Sequence, residues 1–574
     1  MPERVLLLGD DLRAFLAIAR SLGRRGVEVH AAPSDFSSPA LKSRFITAAH
    51  RLPPYPLDSA AWEKALARLI DEKSIRLVFP TSDSGLFMLR HHAEALGRER
   101  IGIANEAALA RFTDKSETRA LAKAHGVPVA EGMLLDGSER PADLASKLGL
   151  PLILKPRASY GLGDIETKRS ALLVRTLEEL EQELGGGAWR GAVAEAFFTG
   201  IGVGVSVLAR DGRVLAAYQH RRLREGSATG ASTKRVSERV DPALLAFVEP
   251  LAAAVGLTGV AMFEFRADRR RGRHILLEVN PRFWGSLPLA VAAGADFPWL
   301  YWDLAVHGRE GAAAYRPGIV KADLTGEFNR AVDRFEESSG FDRLRSAASG
   351  LATAAGLSLA KRTADSWSAD DPEPWREERR ALASRARAAL AKRLAGAGRG
   401  RRVRFEENVG RIFAGAKGRP LRILLVGRDN VCRSAFGERL LRLRLAGLPV
   451  EIASAGYVPR RGAFPSPSAS LAAAAMDVDL AGHSSRAVSE RDLDQADALI
   501  LFDSDTEWRL RQIAPGFAAE IVTLPDLGGS GAESFPAIAA ALSRLAALLV
   551  ERLAPTSLDQ RSRRETRPAQ WQAA

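Results

Sequence analysis

Three groups of residues in this chain are spaced for chemistry. In the first, the apolar run Leu424-Leu425-Val426-Gly427 opens through Arg428-Asp429-Asn430-Val431-Cys432-Arg433-Ser434 into a helical stretch beginning Ala435-Phe436-Gly437-Glu438. Strand, tight loop and helix start, in that order, aim backbone N–H groups and Arg433 at one point, which is how an oxyanion such as phosphate is held. In the second, Lys155 ends the run Leu152-Ile153-Leu154, and small residues follow from Ala158 to Gly163. Such a loop can close its backbone over a polyphosphate while the lysine supplies a point charge, although a plain strand and turn accounts for the same residues. In the third, Glu264 interrupts the apolar run Gly259-Val260-Ala261-Met262-Phe263, and Glu278 and Asn280 flank Val279 between the apolar Ile275-Leu276-Leu277 and the pair Pro281-Arg282. Period-two alternation puts Glu278 and Asn280 on one strand face, and pairing with a neighbouring strand could add Glu264, giving the oxygen ligands that Mg²⁺ or Mn²⁺ prefers. A carboxylate inside an apolar strand is costly unless a metal or another cation neutralises it.

The elements that must position these groups are legible as an alternation. Residues 1–106 alternate short apolar runs (Val5–Leu8, Val27–Ala31, Leu77–Pro80) with helical patterns (Leu12–Leu22, Ala61–Asp71), the rhythm of βαβ units around a parallel sheet. The first turn holds only Gly9, so no dinucleotide fingerprint is present and NAD is not expected. From Thr113 the pattern changes to a helix over Lys115–Ala124, an extended Val127-Pro128-Val129, a helix near Ala142–Leu148 and a β-rich stretch with glycine loops. Residues 311–420 read as an extension and a basic helical linker, 421–553 as a second α/β unit, and 554–574 as a disordered polar tail.

The bulk numbers bound the classes. A chain of 574 residues is too long for one core, and 46% hydrophobic with 26% charged residues is ordinary for globular protein. The single cysteine, Cys432, rules out an intramolecular disulfide and a thiolate zinc cluster and fits a reducing cytoplasm. A net charge of +13 invites a nucleic-acid reading, but the arginines are interleaved with acids. The concentrated tract from Arg376 to Arg404 lacks aromatic interleaving and reads as a solvated helix and linker, so no nucleic-acid partner is expected. The apolar region Leu287–Val306 is cut by Pro288, Asp296, Pro298 and Asp303, and no membrane span is expected.

Residues 1–310 resemble the ATP-grasp enzymes, whose pattern includes a strand lysine before a glycine-rich lid and a closing Glu-x-Asn-Pro-Arg, here Glu278 to Arg282. The resemblance implies a preceding α/β domain (1–106) and an ATP-grasp domain (107–310). It further implies that Lys115 and Lys155 contact the phosphates of ATP, that Ser159, Gly161 and Gly163 belong to the lid, and that Glu195 with the backbone of Ala196 and Phe198 reads adenine. Glu264, Glu278 and Asn280 would bind two Mg²⁺, and Arg282 would steady the transferring phosphoryl group. Where many relatives carry a ribose-binding carboxylate, seven residues after the adenine glutamate, this chain has Gly202. The implied chemistry is activation of a small carboxylate as an acyl phosphate, followed by attack of an amine. Arg221, Arg222 and Arg224 are the candidates for clamping the carboxylate because guanidinium forks match it; a solvated basic strand end reads equally well. Phe283 and Trp284 suit either an acceptor-pocket wall or core packing.

Residues 421–553 resemble the low-molecular-weight protein tyrosine phosphatases, whose loop reads Cys-x5-Arg-Ser, and the likeness continues through Ser454-Ala455-Gly456, Gly482–Arg486 and Ala496–Ile500. The position six before Arg433 is Gly427, which has no side chain to attack phosphorus. Cys432 matches an accessory cysteine beside the arginine and is expected to be buried rather than reactive. The general-acid position offers Asp526 without the proline that follows it in the family. The loop Gly427, Asn430, Cys432, Arg433 and Ser434 is therefore expected to hold a phosphorylated or anionic ligand, or the domain to partner the ligase, without turnover. The fold class expected for the whole is α/β multidomain: an ATP-grasp assembly, then a separate phosphatase-like domain with a central parallel sheet. A bifunctional ligase and phosphatase, and a scaffold that senses nucleotide and phosphate without turnover, are the competing readings.

Overall fold

The computed structural model describes the chain apart from residues 1, 10, 54, 56–58, 159, 161–170, 186–188, 226–231, 338–360, 397–418, 458–461, 466, 503–505, 507–509, 511–518, 524–534 and 554–574. It divides into two compact units, residues 1–387 and 388–574.

The first unit is built on three sheets. Strands β1 (Arg4–Leu8), β2 (Glu28–Ala32), β3 (Ile46–Ala49) and β4 (Leu77–Pro80) form a parallel sheet in the order β3-β2-β1-β4. Val5, Leu6 and Leu7 are fully buried, as expected of strands covered on both faces by crossover helices. Helices start where a side chain caps them: Asp11 caps Leu12–Gly23, Ser82 caps Asp83–His91 and Asp114 caps Lys115–Ala124.

A second, four-stranded sheet joins β5 (Gly132–Leu134), β6 (Leu152–Lys155), β7 (Leu172–Val174) and β8 (Val193–Ala196) in the order β5-β8-β6-β7. The third is antiparallel: β9 (Ile201–Arg210), β10 (Arg213–Glu225), β11 (Ser232–Glu238), β12 (Gly259–Asp268), β13 (Arg273–Asn280) and β14 (Val320–Ala322), ordered β13-β12-β9-β10-β11-β14. One of its faces carries Val203, Val205, Val207, Phe263 and Phe265 into a core shared with Leu244, Val248 and Leu251 of helix Pro242–Ala254. The other face packs Leu208, Ala216, Val260 and Met262 into a second core and, further along the strands, carries Arg222 and Glu264.

The apolar region 287–306 folds as two helices, Leu287–Ala293 and Phe297–His307, buried against Phe15, Phe79 and Met262. Among the described residues no helix is long and apolar enough to cross a membrane. Phe283 and Trp284 are in the same core, with Phe283 edge-on to Phe79 and Trp284 edge-on to Phe297, so of the two roles open to them it is packing that they fill. Beyond residue 310, β14 is the edge strand of the third sheet, and Asp371 accepts from Arg20 Nε at 2.8 Å, Ser43 Oγ at 2.6 Å and the Arg44 N–H at 2.9 Å.

The second unit carries a parallel sheet of β15 (Leu421–Gly427), β16 (Val450–Gly456), β17 (Ala498–Leu501) and β18 (Glu520–Thr523) in the order β16-β15-β17-β18. Helices Arg433–Arg444 and Phe535–Leu553 pack on it through stacked rings of Phe436 and Phe535, with centroids 4.1 Å apart.

Candidate functional sites

Strand register assembles the acidic site. Glu264 on β12 pairs directly with Glu278 on β13, and Asn280 Nδ2 lies 3.4 Å from both Glu264 Oε1 and Glu278 Oε1. The three side chains predicted as metal ligands therefore converge. Their titration diverges: burial pushes Glu264 up, with Glu278 adding to it against Arg222, whereas Glu278, also opposed by burial, is held down by Lys115 and Lys155. Two adjacent carboxylates, one raised and one lowered, form a site that a cation would relieve.

Cations of the protein itself take part of that role. Lys115 Nζ stands 4.0 Å from Glu278 Oε2, and Arg222 pairs with Glu264. Arg222 reaches that carboxylate because β9 carries no side chain beneath it: a Cβ on Gly202 would lie 2.9 Å from Arg222 Nε and 2.7 Å from Glu225 Oε1. Gly204 likewise makes room for His220, whose Nδ1 would be 2.9 Å from a Cβ there. Buried between Arg222 and Arg235, His220 has its pKa lowered to about 3, by burial first, and stays neutral.

Arg282 donates to Asp83 and, at 3.3 Å, to Asn280 Oδ1, so the first parallel sheet contributes a carboxylate to the acidic site. Nothing in the spacing of the strand acids announces Asp83; its signal is the polar run Thr81-Ser82-Asp83-Ser84 at the end of β4. Of the other two arginines in the predicted clamp, Arg221 pairs with Glu238 at 2.6 Å and Arg224 with Glu327, so only Arg222 joins the acidic row.

Glu195, at the end of β8, is buried and shared by two cations: Lys155 Nζ at 2.5 Å and Arg119 Nη1 at 3.0 Å. Arg119 also donates to the carbonyls of Ala130 and Gly132, which ties helix Lys115–Ala124 to the second sheet. The Ala196 N–H donates to Glu131 O at 2.8 Å. A cleft of about 680 Å³ lies beside the end of β8, lined by Val129, Glu131, Phe198, Ile201, Arg273 and Ile275 among others; Lys155, Glu264, Glu278 and Asn280 do not line it. Ser159, Gly161 and Gly163 lie outside the described residues. Tyr160, between them, has its ring 6.0 Å from that of Phe87.

In the second unit the loop after β15 is held open by Asn430, which adopts φ +58°. Its Nδ2 donates to Ser434 Oγ at 3.2 Å and Ser454 Oγ at 2.8 Å, its Oδ1 accepts from the Arg486 N–H at 3.1 Å, and its carbonyl meets His483 Nε2 at 2.6 Å. Ser485 Oγ donates to the carbonyl of Asp429 at 2.7 Å, and Ser454 donates to Glu438. The segments around Ser454 and His483 thus converge on the loop. A Cβ at Gly427 would lie 3.0 Å from Ser434 Oγ, so a side chain there would point at the serine that follows the arginine. Arg433 leads the helix Arg433–Arg444, its guanidinium 5.9 Å from the Phe502 ring centroid. Cys432 is half-buried against the core. Asp526 lies outside the described residues.

Comparison with known proteins matches these two regions. Residues 193–327 match the family model "ATP-grasp in the biosynthetic pathway with Ter operon", and residues 422–533 match "Low molecular weight phosphotyrosine protein phosphatase". The phosphatase Wzb of Escherichia coli K12 is 31% identical over 133 residues, which is 22% of this chain and 89% of Wzb. Etp of the same strain is 34% identical over 93 residues, 16% of this chain and 62% of Etp. Solved structures similar to the chain include the biotin carboxylase domain of Hydrogenobacter thermophilus 2-oxoglutarate carboxylase, at 18% identity over 56% of this chain and 73% of the other, TM-score 0.45. An L-amino acid ligase from Bacillus licheniformis is also similar, at 20% identity over 53% and 75%, TM-score 0.42. The fold class is α/β multidomain, with an ATP-grasp fold followed by a phosphatase-like domain on a parallel sheet. With Wzb matched over 89% of its length at 31% identity, this chain belongs, through its C-terminal part, to the low-molecular-weight protein-tyrosine-phosphatase family.

Proposed function

We propose that the first unit is an ATP- and Mg²⁺-dependent ligase that activates a small carboxylate as an acyl phosphate for attack by an amine. The observation that carries this reading is the meeting of Glu264, Glu278 and Asn280 across two paired strands, with Lys115 4.0 Å from Glu278. The residues fit a divalent cation. Glu264 and the more exposed Glu278 stand side by side, a cation between them would offset their repulsion, and the Asn280 amide, turned over, would offer it Oδ1 in exchange for the bond from Arg282. When bound, Mg²⁺ neutralises phosphate oxygens and polarises the transferring phosphoryl group. Lys115 and Lys155 add positive charge at the nucleotide phosphates, Glu195 holds Lys155 in place, and the hinge backbone at Ala196 and Phe198 faces adenine. Arg282 serves the phosphoryl group from the far side of Asn280, and Arg222, which pairs with Glu264, would clamp the substrate carboxylate. The lid is assigned to Ser159, Gly161 and Gly163.

By the same proposal residues 1–106, 107–310, 311–420 and 421–553 are, in turn, the preceding α/β domain, the ATP-grasp domain, an extension with a basic linker, and the phosphatase-like domain, followed by a tail over 554–574. The protein works in the cytoplasm, without nucleic acid or membrane. The phosphatase-like domain holds a phosphorylated ligand at the loop that Asn430 and Ser434 brace and Arg433 leads, without covalent turnover, because Gly427 stands at the position expected of the family's nucleophile. Retained contacts around Asn430 favour this over a domain that has simply decayed.

The test is an ADP-release screen over pooled amino acids and small carboxylic acids with Mg²⁺. Release that requires both a carboxylate and an amine, and is lost in Lys155→Ala and Glu278→Ala, is the expected result. Nucleotide binding without stimulated release under any pool would instead make the unit a sensor.

A further inference from the structure

Glu195 carries two cations on separate oxygens. Lys155 Nζ meets Oε2 at 2.5 Å and Arg119 Nη1 meets Oε1 at 3.0 Å, and the three side chains are at most 10% exposed. The two cations arrive by different routes. Ile153 of β6 pairs with Glu195 of β8, and Lys155, two residues along, shares that strand face. Arg119 comes instead from the helix Lys115–Ala124, 76 residues before Glu195 in the chain. Lys115 stands four residues earlier on the same helix face, so one face sends a cation to each acidic group: Lys115 to Glu278, 4.0 Å away, and Arg119 to Glu195. The two cations of Glu195 also differ in freedom. Arg119 Nη2 donates to the carbonyls of Ala130 and Gly132, which fixes the guanidinium to the backbone leading into β5. Lys155 presents a compact ammonium on a flexible four-carbon stem.

We propose that Arg119 is a positioning residue for nucleotide binding: it keeps the Glu195 carboxylate compensated and in place while Lys155 leaves it for the phosphates. The proposal rests on the ligase reading, which puts Lys155 at the nucleotide phosphates, and adds the residue that lets the lysine go. In the ligand-free chain Lys155 is spent on Glu195. A buried carboxylate with Lys155 as its single cation would be left bare when the lysine turned away, and uncovering one member of a buried pair is strongly unfavourable. With Arg119 on Oε1, Glu195 keeps a charged donor in either position of the lysine. Two cations on one carboxylate also repel each other, which loosens the hold on the one that is able to move. Arg119 stays because two carbonyls hold it, and Lys155 is released because a single oxygen does. Were Arg119 only a tie between the helix and β5, its charge would be immaterial and its effect would not depend on the carboxylate at residue 195.

The experiment uses the full chain and a fluorescent ADP analogue titrated with Mg²⁺ present. Arg119→Met should weaken the analogue by about fivefold or more. Arg119→Lys, which keeps the charge and gives up the fork to the two carbonyls, should bind within about threefold of the wild type. Arg119→Met combined with Glu195→Gln, in which Lys155 no longer faces a carboxylate, should bind at least about threefold tighter than Arg119→Met alone, the coupling that a double-mutant cycle reads. A smaller loss in Arg119→Met, or a double variant short of that recovery, overturns the proposal and leaves the ligase reading standing. If Arg119→Met does not fold, Arg119→Lys decides: affinity within that threefold range supports the proposal, and a greater loss overturns it. Failure of the wild type to bind the analogue overturns the ligase reading beneath it.

Discussion

The acidic site of the first unit and the phosphate loop of the second differ in what each has kept. Around Glu264 and Glu278 the charged groups hold one another's counter-charge: Arg222 on Glu264, Lys155 on Glu195, Asp83 on Arg282. Around Asn430 the scaffold is present, and the proposed loss of turnover rests on Gly427, which ends the strand where the family's attacking cysteine is expected. The difference teaches that a folded phosphate cradle is maintained by its internal hydrogen bonds, whatever its chemistry. Asn430 in the left-handed region, with Ser434, Ser454, Arg486 and His483 around it, holds the loop without help from a thiolate. Charged residues at the acidic site have no such independence. Burying any one of them unpaired would cost several kcal/mol, so they stand as a set.

The largest effect expected is from Glu278→Ala, which removes the carboxylate that Lys115 and Lys155 hold ionised. Mg²⁺-dependent ADP release should fall by about 10³, the scale of losing a principal electrostatic stabiliser of a phosphoryl-transfer state. Next is a gain. Gly427→Cys places a side chain beside Ser434 Oγ, and hydrolysis of p-nitrophenyl phosphate, expected to be absent in the wild type, should rise by on the order of 10² over background. Robust wild-type hydrolysis that Cys432→Ser abolishes would erase the contrast between the two regions.

Smaller effects sharpen it. Asn430→Ala loses the side-chain bonds to Ser434 and Ser454 and puts a Cβ-bearing residue less suited to positive φ in the loop; thermal unfolding of the second unit should be destabilised by about 1–3 kcal/mol. The last concerns pH. His220 is neutral when folded, with its pKa lowered to about 3, while an unfolded histidine titrates near 6.5. Between those values the unfolded chain binds the extra proton, so stability is full above about pH 6.5 and falls as pH drops below it. The slope should approach about 1.4 kcal/mol per pH unit and flatten in His220→Gln, as measured by urea unfolding at pH 4.5 to 7. An unchanged slope would show that burial at this position carries no charge penalty.

Much of the frame was legible in the residues. The helix expected over Lys115–Ala124 has those bounds because Asp114 precedes it as a cap, and the strand Leu77–Pro80 is an unbroken apolar run before a polar cluster. That Glu264 could join Glu278 was open to a reading of two adjacent apolar runs each carrying one acid, and the antiparallel register makes the two direct partners. The arginine cluster after His220 did not resolve by inspection. A β-bulge between Arg222 and Arg224 and the alternation of faces send Arg221 to Glu238, Arg222 to Glu264 and Arg224 to Glu327. Gly202 gave a signal only in one direction: it marked a missing carboxylate, while the side chains of Arg222 and Glu225 that fill the space there, like that of His220 over Gly204, come from another strand.

What the sequence by itself determined is the local inventory: which strands carry acids and which loops follow them. These depend on spacing of a few residues and on backbone propensity. Only the tertiary structure decided which charge neutralises which. Asp83 and Arg282 lie 199 residues apart, Arg119 and Glu195 76 apart, and each is brought within bonding distance by sheets that the intervening chain builds. Coulomb attraction acts on separation in space and on burial, and neither is written in the order of the residues.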